Sequence, residues 1–173
     1  AVTRLGAWTL TVVIANQIAL YVVLAVAYGQ GGNGPVSAYT YGWSFMQMPY
    51  AVVVVSVLSA LTPQLAALAT AQDFRALGAR LEVGLRQGLI IIIPATVLLM
   101  MLAQPLAGVL LNHVNATHHL LVGTVLAILC AGLPGFTIFQ TCVRGLQAMQ
   151  RARDVFILYA IENAINIFLA VAF

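Results

Sequence analysis

The residues that could carry chemistry are a few polar side chains placed inside long apolar segments. Glu162 is an acid inside the last apolar segment, and Asn166 follows four residues later, so the two side chains share one helix face. Asn16 and Gln17 lie inside the first apolar segment and could add oxygen atoms to the same cavity, although Asn and Gln in spans more often form hydrogen bonds between helices. Since an acid at membrane depth is costly, the pattern is as consistent with a cation or proton site as with a structural role. A snorkelling acid or a structural hydrogen bond is the alternative.

Two further segments carry polar faces. Ser44 and Gln47 lie in the second apolar segment. In a later segment, four polar residues recur at helical spacing and therefore line one side of a helix, namely Thr137, Gln140, Thr141 and Arg144. These faces predict a polar cavity between helices. The Arg144 guanidinium could bind a phosphate, because it presents a fork of donors to such oxygens, or it could act as an orientation anchor.

The composition identifies the solvent of these segments as a lipid bilayer. Of the 173 residues, 62% are apolar and 6% are charged, whereas soluble domains contain about 25% charged residues. Residues 5–72 and 87–143 contain no formal charge, and each run is long enough for two spans of roughly 20 residues. No basic face for nucleic acid is present, no nucleophile or metal-hydrolase motif supports an enzyme, and no metal site is expected.

The predicted fold class is an all-α polytopic membrane helical bundle. We expect five transmembrane helices and one short amphipathic cytoplasmic helix within 66–86, where charged and apolar residues alternate at helical spacing. Three prolines interrupt the predicted spans and are candidate hinges, because proline removes a backbone hydrogen bond: Pro49, Pro94 and Pro134. The predicted spans are 5–28, 37–65, 87–111, 120–143 and 155–173, with a turn at 112–119.

The arginines predict the orientation of these spans. All seven fall in alternate connections: Arg4, Arg75, Arg80, Arg86, Arg144, Arg151 and Arg153. Short loops rich in arginine face the cytoplasm. We therefore expect the N-terminal end of the sequence to be cytoplasmic, and we expect the sequence to be a piece of a larger membrane protein.

Several motifs, taken in order, resemble one transporter family. Residues 39–49, Tyr-Thr-Tyr-Gly-Trp-Ser-Phe-Met-Gln-Met-Pro, followed by Pro63-Gln64-Leu65, resemble the eighth helix of the MurJ/MviN lipid II flippases. Ile93-Pro94 resembles a motif in the ninth helix of that family. Gln140-x-x-x-Arg144-Gly145 with Arg153-Asp154 resembles the end of the tenth, and Asn163-Ala164-Ile165-Asn166 resembles the paired asparagines of the eleventh.

The resemblance covers nearly the whole sequence and implies a function. The five spans would be helices seven to eleven of a core of fourteen, forming most of the second bundle of one transporter domain that comprises residues 1–173. The implied activity is alternating-access flipping of lipid II, the undecaprenyl-pyrophosphate-linked peptidoglycan precursor, across the bacterial cytoplasmic membrane for cell-wall synthesis. The implied partners are lipid II, the bilayer and the first bundle of the same protein. No cofactor is expected beyond a coupling cation or the membrane potential.

Two other functions fit the same pattern. One is another exporter of the same superfamily, acting on polysaccharide-lipid or drugs, and the other is a membrane anchor or scaffold that transports nothing. One departure from the resemblance concerns the second span, where family members often carry an Asp-Arg pair and this sequence has Trp43-Ser44. A charge that relatives use for substrate is therefore absent at this position.

Overall fold

The computed structural model describes residues 2–110 and 116–172, and it consists of helices joined by short turns. No strand occurs among these residues, so the predicted all-α membrane fold is confirmed. A π-helical segment, Tyr50–Val55, joins the second and third helices. The α-helices are α1 Val2–Gly31, α2 Asn33–Pro49, α3 Ser56–Thr70, α4 Phe74–Leu110, α5 Ala116–Ala131, α6 Leu133–Ala148 and α7 Ala152–Ala172.

Three helical stretches in the described part of the chain are long and apolar enough to cross a membrane. They are Leu10–Gly29, Asn33–Thr70 and Phe74–Val109, and the bent pair α5 and α6 counts as a fourth if the two form one span. The predicted fifth span lies in α7, a helix of 21 residues that carries Arg153, Asp154 and Glu162. Its crossing of the membrane stays a prediction.

The amphipathic stretch is not a separate helix, and this part of the prediction was wrong. The structure instead continues it directly into the third predicted span, giving the 37 residues of α4. The physical reason is local: Leu85, Arg86 and Gln87 all favour a helix, and no proline interrupts the chain at the expected boundary. The helix begins after Asp73, whose carboxylate accepts a hydrogen bond from the Ala76 amide at 2.9 Å and so caps the first turn.

The predicted interruptions take different forms. Gly132 separates α5 from α6, which meet at 46° close to Pro134. Pro49 is followed by the π-helical segment, after which the α-helix continues. Proline has no backbone N–H to donate, so the regular α-helical hydrogen-bond pattern is interrupted next to it. Pro94 lies inside α4. That these prolines act as hinges stays a prediction. Of the predicted turn at 112–119, residues 112–115 lie outside the described residues, and residues 116–119 form the first turn of α5 instead.

The central core joins one face of α2, the π-helical segment and α3 to α4, α5 and α6. Met46, Tyr50, Val54 and Leu58 recur every four residues along this face and are all buried. They meet Ile92 and Ala103 of α4 and Leu126, Cys130 and Leu133 near the α5–α6 bend. The first helix lies at the edge of this arrangement, where it packs against α7 and α2. The core therefore fixes the positions of α2 and α6, from which several of the predicted polar side chains extend.

Gly42 sets the distance between α2 and α5. A Cβ atom at this position would lie 3.2 Å from the Leu129 side chain and 3.3 Å from that of Val125. Small residues at helix crossings in membrane proteins allow such a close approach of two backbones. This close crossing holds α2 against the last turns of α5, just before the α5–α6 bend.

Candidate functional site

The polar residues of α7 point in two directions. Asn163 is buried and faces α1, where its Nδ2 atom donates to Oδ1 of Asn16 at 2.9 Å. A buried amide at membrane depth needs such a partner. Asn16 was predicted to share a cavity with Glu162 and Asn166, and the structure shows that Asn163 takes this contact instead.

Glu162 is held by its own helix. The Asn166 amide donates to Oε1 of Glu162 at 2.5 Å, as expected for residues four apart. Glu162 is half-buried and Asn166 is exposed. Gln17 of α1 is exposed as well. The role of these residues as a cation or proton site stays a prediction, and the hydrogen bond shows that one carboxylate oxygen already has a donor.

Two tyrosines lie within electrostatic range of the Glu162 carboxylate. The hydroxyls of Tyr159, one turn earlier on α7, and Tyr39, on α2, lie close enough to interact with it electrostatically. Sequence reasoning missed both as site residues. The signal for Tyr159 was available, because it stands three residues before Glu162 and therefore on the same helix face.

The α6 residues reach this same region. Gln140 lies beside the Tyr159 hydroxyl, and the Arg144 guanidinium is within electrostatic range of Tyr159 and Tyr50. Gln140 and Arg144, which were both predicted to line a cavity, are therefore brought together with the α7 acid by one tyrosine. We call Tyr39, Gln140, Arg144, Tyr159 and Glu162 the polar cluster.

Only two of the four predicted polar side chains of α6 are free to contact a ligand. Thr137 and Thr141 are buried, and their hydroxyls donate to the backbone carbonyls of Leu133 and Thr137 at 2.9 and 2.8 Å. Threonines that bond to the preceding turn have little capacity left for a ligand. Only Gln140, which is half-buried, and Arg144, which is exposed, remain open.

Aromatic rings hold the three helices that supply the polar cluster. Phe139 of α6 packs edge-on against Tyr159 of α7, with ring centroids 5.2 Å apart and planes at 83°. One turn earlier on α6, Phe136 packs against Tyr50 at 4.8 Å and against Trp43 at 6.2 Å. Such pairs contribute about 0.5–1.5 kcal/mol each beyond their buried area. These contacts restrict how far α2, α6 and α7 can shift independently.

The α2 candidates stand apart from this arrangement. Ser44 is exposed and donates to the Thr40 carbonyl at 2.9 Å, and Gln47 is half-buried. Among the described residues, neither makes a side-chain hydrogen bond to another helix. Their role as cavity residues stays a prediction. The described residues also contain no group of three His, Cys, Asp or Glu side chains placed to hold a metal ion.

Comparison with known protein families gives a match over the whole chain. The sequence model described as "Lipid II flippase MurJ" matches residues 1–173. The chain belongs to this family. This confirms the resemblance drawn from the motifs and places the polar cluster in a family of membrane transporters.

Two curated relatives support the assignment at modest identity. A protein of Rhizobium tropici named "Probable lipid II flippase MurJ" is 29% identical over 153 residues, which is 87% of this chain and 28% of the relative. One of the same name from Rhizobium meliloti is 26% identical over 140 residues, or 80% of this chain and 26% of the relative. The chain thus spans only about a quarter of the length of these relatives. No solved structure matches it.

Proposed function

We propose that this chain is part of a flippase that moves lipid II across the bacterial cytoplasmic membrane by alternating access. The observation that carries the proposal is the family match, which extends over residues 1–173. Both curated relatives are named as lipid II flippases. The proposed activity is transport and includes no covalent step.

The polar cluster gives this chain a specific part in the proposed activity. Lipid II pairs a pyrophosphate-linked headgroup with a long apolar tail, so its path needs both cationic and apolar surfaces. Arg144 supplies a cation near the hydroxyls of Tyr50 and Tyr159, and a guanidinium binds phosphate oxygens through paired hydrogen bonds. Many apolar side chains of α1 and α4 are exposed, including Leu10, Ile14 and Met101. In the proposed transporter, these would face lipid or the first bundle.

We also propose that a cation, a proton or the membrane potential drives the cycle through Glu162. The carboxylate is half-buried, bonded to Asn166 and close to two tyrosine hydroxyls. Oxygen atoms of these kinds are ligands of hard cations and can share a proton. Movement of one charge through a membrane potential of 100 mV is worth about 2.3 kcal/mol, enough to bias a conformational equilibrium.

The proposed activity is tested with a full-length protein that carries this chain. Reconstituted vesicles with fluorescent lipid II in both leaflets are treated with a membrane-impermeant quencher. We expect quenching to extend beyond the outer leaflet in vesicles with protein and to stop at about half in empty vesicles. A matched phospholipid bearing the same fluorophore should not cross. Movement of a cationic drug but not of lipid II would instead favour another exporter, and movement of neither would favour a scaffold.

We propose that the N-terminal end of the chain faces the cytoplasm, as the arginines predict. In a variant with Cys130 and Cys142 replaced by alanine, a new cysteine at Asn33 should react with a membrane-impermeant thiol reagent in intact cells. A new cysteine at Gln72, in the turn between α3 and α4, should react only after the membrane is opened. Both positions are exposed, so accessibility within the fold does not separate them. Labelling at Gln72 with protection at Asn33 would reverse the orientation.

A further inference from the structure

A groove lies between α3 and the first turns of α4, away from the polar cluster. It has a volume of about 300 Å³, and its walls carry two kinds of side chain. One end presents Arg80 and Gln64, and Val57, Ala60 and Val83 supply an apolar lining. A site with these properties fits a ligand that has an anionic head and an apolar tail.

The position of the groove along the membrane normal follows from the length of α4. Residues 88–109 of this helix contain no charge, and at 1.5 Å per residue they span about 33 Å, close to the roughly 30 Å thickness of the hydrocarbon core. Gln87, which also lines the groove, therefore lies at the edge of the hydrocarbon. Arg80 lies seven residues further out, or about 10 Å, which is the level of the lipid headgroups.

The charge of the groove selects the kind of lipid. Arg80 is the only formally charged residue among its lining residues, and its side chain has no acidic partner in the part of the chain that the structure describes. Gln64 and Gln87 can donate further hydrogen bonds from their amides. A guanidinium with neutral donors beside it suits a phosphate whose charge is not balanced within the same headgroup.

We propose that this groove binds one anionic phospholipid, with its phosphate at Arg80 and its glycerol and first acyl carbons along Val83, Ala60 and Val57, from which the acyl chains continue past Gln87 into the hydrocarbon. Basic pockets between helices at a membrane surface bind anionic headgroups in this way. The bound lipid would fill the seam between α3 and α4, whose far wall is the buried contact of Leu61, Leu65 and Leu77. This proposal does not depend on what the protein transports.

The experiment titrates soluble short-chain lipids into the full-length protein held in an uncharged detergent. Dihexanoyl phosphatidylglycerol is expected to bind saturably and more tightly than dihexanoyl phosphatidylcholine, and glycerol phosphate, which has no tail, is expected to bind weakly. Arg80→Gln should weaken phosphatidylglycerol binding about fivefold, the equivalent of the about 1 kcal/mol that one basic residue contributes near an anionic surface. Arg75→Gln is the matched control, because Arg75 is exposed on the same helix but does not line the groove.

A second pair of variants tests the apolar half of the site. Ala60→Trp should block binding of both lipids by filling the groove, whereas Ala67→Trp, at an exposed position further along α3, should leave binding intact. If Arg75→Gln and Arg80→Gln weaken phosphatidylglycerol binding equally, the binding reflects diffuse surface charge and not a site at Arg80. Equal binding of the two lipids, glycerol phosphate binding as tightly as phosphatidylglycerol, or no saturable binding because another part of the protein fills the groove would each overturn the proposal.

Discussion

Replacing Glu162 with glutamine is expected to reduce lipid II flipping by at least about fivefold, the lower end of the range for coupling between two sites. The substitution removes the charge and leaves a carbonyl oxygen that can still accept the hydrogen bond from Asn166. The local structure should therefore persist, so that a loss of transport reports on the charge. The measurement is the vesicle assay, with expression and lipid II affinity determined for the same preparations.

The control for this prediction is Asp154→Asn. It makes the same chemical change on the same helix, but Asp154 lies in the first turn of α7 and pairs with Arg151 at 2.5 Å, away from the polar cluster. We expect it to transport normally, because ion pairs of this exposed kind contribute about 0–1 kcal/mol. If Glu162→Gln also flips lipid II at the normal rate, the acid has no part in coupling and the structural hydrogen bond is its role.

Replacing Arg144 with glutamine is expected to weaken lipid II binding by about tenfold or more. A hydrogen bond to a charged group contributes about 1.5–3 kcal/mol, and each 1.4 kcal/mol corresponds to a factor of ten in affinity. Arg144→Lys should give an intermediate affinity, because lysine retains the charge but cannot form the paired hydrogen bonds of a guanidinium. The measurement is equilibrium binding of lipid II to the purified full-length variants.

Arg153→Gln is the matched control for charge. Arg153 is exposed at the start of α7 and takes no part in the polar cluster, so its loss should leave lipid II affinity unchanged. Normal affinity in Arg144→Gln, together with lower expression or altered topology, would support the alternative that Arg144 is an orientation anchor. Because Tyr50 and Tyr159 both lie near the guanidinium, the melting temperature of each variant separates lost binding from lost packing.

The candidate site shows where sequence reasoning is effective and where it fails. Spacing along one helix placed Glu162 beside Asn166, and the structure confirms that contact. It also placed Gln140 and Arg144 on one face of α6. It did not place Tyr39 near Glu162, since these residues are far apart in sequence and come within electrostatic range only because α2 and α7 belong to one bundle. Helical periodicity describes the neighbours on one helix but contains no information about the neighbouring helix.

The amino-acid sequence alone specifies that the helices lie in a lipid bilayer, and it specifies their local structure. A low content of charge and long apolar runs require spans whose backbone groups are satisfied internally, which helices achieve alone, and the ordered motifs indicated the family that the comparisons confirmed. The packing of the helices in three dimensions determines that Asn163, and not Asn166, forms a hydrogen bond with Asn16. It also decided that α3 and α4 enclose a groove. These outcomes depend on helix rotation and crossing, which many weak packing contacts set together and no single residue specifies.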